Sequence, residues 1–231
     1  HWFGIQFRAA RKGCQTRNMR ILLICAVKLE LVWLLEQLAR PERLKLKGAK
    51  AWSGRIEGRD ALLACIGIGP AVARENLERL LAGGKFDRAY HFGLCGALAA
   101  GFDLCHPVVA RSVAAAWEPS QEPLIPDMPS RETLETLSVR PLEGAFVTNG
   151  SPVFSNQLKS FLAARFKADC VDMESWEIAR VCSAQKIPLT IVKSVSDLAD
   201  SKTFETFRGH ARQAALTAQK AVFELLRHSP V

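Results

Sequence analysis

A single α/β domain is the fold class this sequence predicts, and three observations predict it. Short apolar runs suited to strands alternate with amphipathic stretches suited to helices along the chain from Met19 onward. No linker rich in Pro, Gly or Ser, no internal repeat and no low-complexity tract divides that pattern. Acidic residues stand where apolar strands run out, in Val171-Asp172-Met173-Glu174-Ser175 and in Ser194-Val195-Ser196-Asp197-Leu198-Ala199-Asp200. The carboxyl ends of parallel strands are where open α/β sheets bind their ligands.

The elements follow in order. Residues 20–27 read as a strand, and Glu30 to Leu38 as an amphipathic helix that ends near Pro41. Residues 46–57 and 60–66 read as paired strands. Gly67-Ile68-Gly69-Pro70 breaks the run, and residues 70–81 read as a helix with proline in its favoured first turn and Gly83-Gly84 as its stop. Residues 88–92 read as a strand leading to a tight loop, Gly93-Leu94-Cys95-Gly96. Strands follow at 107–113 and 144–148, separated by an irregular segment, 117–130, that carries Pro119, Pro123, Pro126 and Pro129. We expect that segment at the mouth of a site. A helix over 158–166, a strand over 168–171, a helix over 174–184, a strand over 189–195 and a long Ala-rich helix over 204–227 complete the pattern.

Size and composition narrow the function. The 231 residues are 48% hydrophobic and 23% charged, enough for one substantial core. The net charge of +8 is concentrated at the start: Arg8, Arg11, Lys12 and Arg17 supply half of it, leaving +4 for 19–231. A body so mildly basic argues against a nucleic-acid surface. Residues 1–18 differ in composition from the rest and are expected to be a tag remnant or misassigned start that precedes a domain over 19–231. No run approaches a membrane span, and the apolar run after Met19 breaks at Lys28 without a cleavage site. The seven cysteines are scattered, without a CxxC pair, and Cys25, Cys65 and Cys170 read as small buried hydrophobes in a reducing, cytoplasmic setting.

Several residues stand where chemistry is possible. Gly67-Ile68-Gly69, between a strand and a helix, either brings backbone N–H groups close to a ligand or is simply a tight turn. It is neither a dinucleotide fingerprint nor a Walker loop. Glu30, Asp172 and Glu174 suit the positive end of a helix, with or without a further role. Asp197 and Asp200 suit a turn cap.

Together, Met19 to Leu35, the Gly67-Ile68-Gly69 turn, His91-Phe92-Gly93-Leu94-Cys95-Gly96-Ala97-Leu98, Val171-Asp172-Met173-Glu174 and Val195-Ser196-Asp197-Leu198-Ala199-Asp200 resemble the purine/uridine nucleoside phosphorylase superfamily. The nearest likeness is to its methylthioadenosine/S-adenosylhomocysteine nucleosidases and futalosine hydrolases. The Val-Asp-Met-Glu-Ser wording also resembles the hopanoid-associated nucleoside phosphorylases. The resemblance implies a single-domain, three-layer α/β/α fold around a central mixed, twisted sheet. It implies hydrolysis of the N-glycosidic bond of a purine, adenine-type nucleoside, without cofactor or metal. Asp197 would protonate the leaving base, and Glu30 would position the attacking water. Glu174 would hold the ribose hydroxyls with Met173 packed on the sugar, and Ser196, Gly69 and Leu94 would complete the pocket. Phe154, with Phe146 as second choice, would stack on the base, unless it is a core residue. Trp117 is a candidate cover for the shortened segment 117–130. A homodimer is implied as well.

Phosphorolysis and a catalytically weak nucleoside-binding homologue are the alternatives. The family's loop hydroxyl, which helps hold phosphate in the phosphorylases, is replaced here by Leu94. The arginine that precedes the loop in hexameric phosphorylases is replaced by His91, which reads as a packed histidine. A phosphate dianion needs several charge-assisted donors, so both departures favour water.

Overall fold

The computed structural model describes residues 19–228. The apolar run after Met19 forms β1 (Arg20–Cys25), and all but its first residue are buried. Continuous burial of this kind marks a strand covered on both faces. Its side chains alternate between two cores. Leu22 and Ile24 pack with Ala73, Leu77, Ile178 and Cys182 on one face, and Ile21, Leu23 and Cys25 with Leu34, Val222, Leu225 and Leu226 on the other. Those partners belong to α2 (Pro70–Leu81) and α5 (Ser175–Ala184) on one side, and to α1 (Val32–Gln37) and α6 (Thr203–His228) on the opposite side. The expected three layers are therefore present.

Among the described residues, the sheet between them has nine strands in the order β2-β3-β4-β1-β5-β8-β7-β6-β9. The remaining strands are β2 (Ala39–Lys45), β3 (Lys50–Ile56), β4 (Arg59–Cys65), β5 (Arg88–Ala97), β6 (Pro107–Ala115), β7 (Leu142–Thr148), β8 (Cys170–Asp172) and β9 (Leu189–Asp197). β1 runs parallel to β4 and β5, and β9 runs parallel to β5 but antiparallel to β6. Because β9 bonds to both β5 and β6, the five strands β5, β8, β7, β6 and β9 close on themselves. That closure brings the ends of β5, β8 and β9 together, with the acids they carry.

Four sequence expectations need correction. Glu30 does not lie in a regular helix: a 3-10 turn, Lys28–Glu30, precedes α1. Pro41 lies inside β2. β2 is an edge strand, where a missing N–H costs no ladder bond. Gly93-Leu94-Cys95-Gly96 is not a tight loop but continues β5, bonded to β9 and β8. Two glycines in a row of four mimic a turn, yet here they admit neighbouring side chains. Finally, a short helix, α3 (Arg131–Glu135), capped by the Ser130 hydroxyl, was not foreseen. Segment 117–130 is irregular as expected, apart from an isolated bridge between Val113 and Leu124. The 3.6-residue pattern of 158–166 forms α4 (Asn156–Phe166). Residues 1–18 lie outside the described residues.

Candidate active site

A cleft of about 340 Å³ opens where β1, β5, β8 and β9 end. Glu30, Leu94, Met173, Glu174, Ser196, Asp197 and Phe154 all line it, with Asp172, Phe204 and Phe207. No arginine or lysine is among the described residues that line it. Gly69 contributes a backbone N–H to the carboxylate of Glu174. Phe146, the second stacking candidate, is buried in the core and does not reach the cleft. Trp117 is not among the lining residues either, nor is any other residue of 117–130, so that segment does not form the mouth of this cleft as the sequence suggested.

Glu30 enters from the turn after β1 and is buried. Its Oε2 accepts from the N–H groups of Ala26 (2.8 Å) and Val27 (2.9 Å), and its Oε1 from that of Leu94 (3.0 Å). The approach to β5 is possible only because residue 93 is glycine. Its φ is +150°, and a Cβ there would lie 2.4 Å from Glu30 Oε1. Burial raises the Glu30 carboxyl above its ordinary range, while Lys193 and the three backbone donors pull it down. Leu94 thus serves through its backbone, a contribution its side chain does not affect.

Glu174 stands at the N-terminus of α5, and its Oε1 accepts from Gly69 N–H at 2.9 Å. Burial, and secondarily the neighbouring Asp172, push it up to about 7 against the pull of Lys193. Asp197 closes β9. The Ser196 hydroxyl donates to its Oδ2 at 2.8 Å, and Ala199 N–H (3.0 Å) and the Thr203 hydroxyl (3.3 Å) donate to its Oδ1. Burial raises this carboxyl too, opposed by those hydrogen bonds. A Cβ at residue 96 would lie 2.8 Å from Asp197 Oδ1, so Gly96 makes room for it.

Two further residues complete the site. Asp172 accepts from the hydroxyls of Thr148 and Ser175, and Lys193 Nζ lies 3.3 Å from its Oδ2. Sequence reading took Asp172 for a helix start and passed over Lys193, which sits in an apolar strand. The available signal was burial itself: a lysine inside a strand covered on both faces must be paired. Burial acts to lower the Lys193 pKa, but Asp172, Glu174 and Glu30 outweigh it, and the pKa lies above its ordinary value. The ammonium is therefore charged and stands behind the acids rather than in the cleft.

His91 is buried in β5, with Nδ1 3.2 Å from Ile24 O, as a packed histidine should be. Burial first, then Lys193, holds it well below its ordinary value, so it is neutral near pH 7. His91, Asp172 and Glu174 bring potential ligand atoms within 4.8 Å of one another. Lys193 Nζ already stands 3.3 Å from Asp172 Oδ2 and would repel a second cation beside it, so the group fits a metal poorly.

Acids at strand ends around a central mixed sheet are what the sequence resemblance implied; the closure of five of its strands is seen only in the structure. A profile of the phosphorylase superfamily matches residues 20–227. The chain belongs to this superfamily. It is 25% identical to a 5'-methylthioadenosine/S-adenosylhomocysteine nucleosidase of Glaesserella parasuis, over 91% of this chain and 99% of that one. It is 26% identical to the corresponding enzyme of Staphylococcus carnosus, over 89% and 98%. Among solved structures in the superfamily, the fold matches the nucleosidase of Neisseria meningitidis in complex with methylthio-immucillin-A, with a TM-score of 0.82 and 22% identity over 91% of this chain and 99% of that one. It also matches a futalosine hydrolase of Helicobacter pylori, with a TM-score of 0.84 and 18% identity over 91% and 100%. No helix among the described residues is long and apolar enough to cross a membrane.

Proposed function

We propose that the cleft hydrolyses the N-glycosidic bond of an adenine-type nucleoside, with Asp197 as general acid and a water positioned by Glu30 as nucleophile. One observation carries this reading: Glu30, Glu174 and Asp197 converge on one apolar-walled cleft whose described lining holds no cation. Bond breaking gives the sugar oxocarbenium character, and ionised carboxylates stabilise that charge where a phosphate dianion would be repelled. The names of the curated relatives point to the same bond and the same base.

The steps assign one task to each group. Asp197, whose pKa burial raises, donates a proton to a purine ring nitrogen as the C–N bond breaks. Ser196 and Thr203 hold its two oxygens in place. Glu174 accepts from the ribose hydroxyls and Met173 packs on the sugar. The water oxygen bonds to the anomeric carbon, and its proton passes toward Glu30. Phe154, 54% exposed at the rim, stacks on the base and covers it. Lys193 supports Glu30 and Glu174 in their ionised forms from behind. The homodimer implied by the resemblance belongs to this proposal.

The test is direct. The protein is incubated with methylthioadenosine, S-adenosylhomocysteine, adenosine and inosine, with and without phosphate, and free base is followed. Base release independent of phosphate is the expected result. Release only with phosphate makes the protein a phosphorylase, and binding without release makes it a nucleoside-binding homologue.

A further inference from the structure

Two cysteines beside the cleft form a pair that the chemistry above does not use. Cys25 ends β1 and Cys65 ends β4, and the two are partners in the parallel register. Both pack on the same face of the sheet, with Ile21, Leu23 and Leu63. Neighbouring strands run about 4.8 Å apart, within the roughly 4.4–6.8 Å between Cα atoms that a disulfide spans. Each thiol lies close enough to shift the other's titration, Cys25 lowering Cys65 and Cys65 raising Cys25. Cys25 is buried, whereas Cys65 is partly exposed, contrary to its sequence reading as a core residue. A second adjacent pair, Cys95 and Cys170, is buried on both sides and gives an oxidant no entry.

The pair is wired to Glu30. Cys25 Sγ lies 3.5 Å from Val27 O, and Cys65 Sγ lies 3.2 Å from Ala26 O. The N–H groups of the same two residues hold Glu30 Oε2. A disulfide carries no S–H, so closing it removes both donors from the carbonyls of the segment that positions Glu30.

We propose that Cys25 and Cys65 form a reversible dithiol switch, closed by a peroxide-class oxidant, that displaces Glu30 and turns the site off. The consequence for catalysis rests on the proposed role of Glu30; the formation of the bond does not. Cys65 attacks one peroxide oxygen, the O–O bond breaks, and a sulfenic acid and one water form. Cys25 then attacks the Cys65 sulfur, the S–S bond forms, and a second water leaves. Two thiols lose two electrons and the peroxide gains them. The neighbouring Cys25 thiol is the main cause that lowers Cys65 to about 7, so a thiolate is available near neutrality.

The test treats the full chain with stoichiometric hydrogen peroxide, then maps tryptic peptides without reduction. Cys25 and Cys65 fall on separate peptides, 21–28 and 60–74. The expected result is a cross-link between these two peptides, with base release at least ten-fold slower and restored by dithiothreitol. Cys65→Ala, and separately Cys25→Ala, should keep base release under the same peroxide dose. Oxidation of Cys65 without a link to Cys25 overturns the proposal, as does a linked protein of unchanged activity. If the reduced protein releases no base at all, the nucleosidase reading fails. The cross-link and its reversal then still decide whether the pair is a redox site.

Discussion

Lys193 Nζ stands 3.3 Å from Asp172 Oδ2, with each side chain only 1% exposed. This buried ion pair joins β9 to β8 beneath the cleft, and its charge reaches Glu30 and Glu174 as well. Removing one member of a buried pair typically costs about 3–5 kcal/mol, because the other charge is left uncompensated. Lys193→Met is therefore expected to lower thermal stability sharply. In the fraction that folds, Glu30 and Glu174 lose the ammonium that lowers their pKa values, so the acid limb of the pH–rate profile moves to higher pH. Lys193→Arg, which retains the charge, should keep the limb in place. A Met variant with an unshifted limb would sink the idea that Lys193 tunes the acids.

This pair also marks where sequence reasoning stopped. The strand ends and their acids were legible because burial on both faces leaves a continuous apolar run, and Asp197 and Glu174 are placed where such runs end. Lys193 lies within the run, and periodicity cannot tell a paired buried lysine from a misjudged boundary. Gly93 and Gly96 looked like a loop because glycine's usual local meaning is a turn. Their role here is to make space for Glu30 and Asp197, contacts made across the sheet. Phe146 and Phe154 have the same side chain, and only the tertiary fold places one in the core and one at the rim.

Glu174 makes stability depend on pH in a direction that can be worked out. Its folded pKa of about 7 lies above the ordinary 4.5, so the folded state holds a proton that the unfolded state releases between those values. The stabilisation is full below the unfolded value and is lost as pH rises through about 7. Glu174→Gln keeps an oxygen for the Gly69 N–H and removes the titration. The variant should gain stability relative to the parent between pH 5 and pH 8, by on the order of 1–3 kcal/mol. Urea unfolding at the two pH values measures it, and a constant difference between the two proteins refutes it. Activity should move the opposite way, since the Gln variant has no charge to offer the sugar at any pH.

Gly93→Ala tests the approach of Glu30 to β5 without touching a charge. The new Cβ falls 2.4 Å from Glu30 Oε1 and 2.7 Å from its carboxyl carbon, at a φ of +150°. Glu30 must withdraw, which breaks its bond from Leu94 N–H. The expected outcome is a kcat reduced at least as far as in Glu30→Gln, about 10²-fold or more, with adenine affinity within a few-fold of the parent. Combining the two substitutions should add little, because both remove the same function. Additive losses would show that Gly93 matters for some reason other than the placement of Glu30.

Asp197→Asn separates proton transfer from binding. Asn at this position keeps one oxygen to accept from Ala199 N–H and the Thr203 hydroxyl, turns its NH2 toward Ser196 Oγ as a donor, and cannot give up a proton as the base leaves. General acid catalysis is typically worth about 10²–10⁴-fold, so kcat should fall by that factor while KM changes little. The parent's rate should fall on the alkaline side as Asp197 loses its proton, a limb shifted upward because burial favours the neutral acid. The Asn variant should lose that limb. A substrate whose leaving group is a good anion, such as a p-nitrophenyl riboside, needs no protonation and should be cleaved by the variant and the parent at similar rates. Equal loss on both substrates would place Asp197 in binding rather than in proton donation.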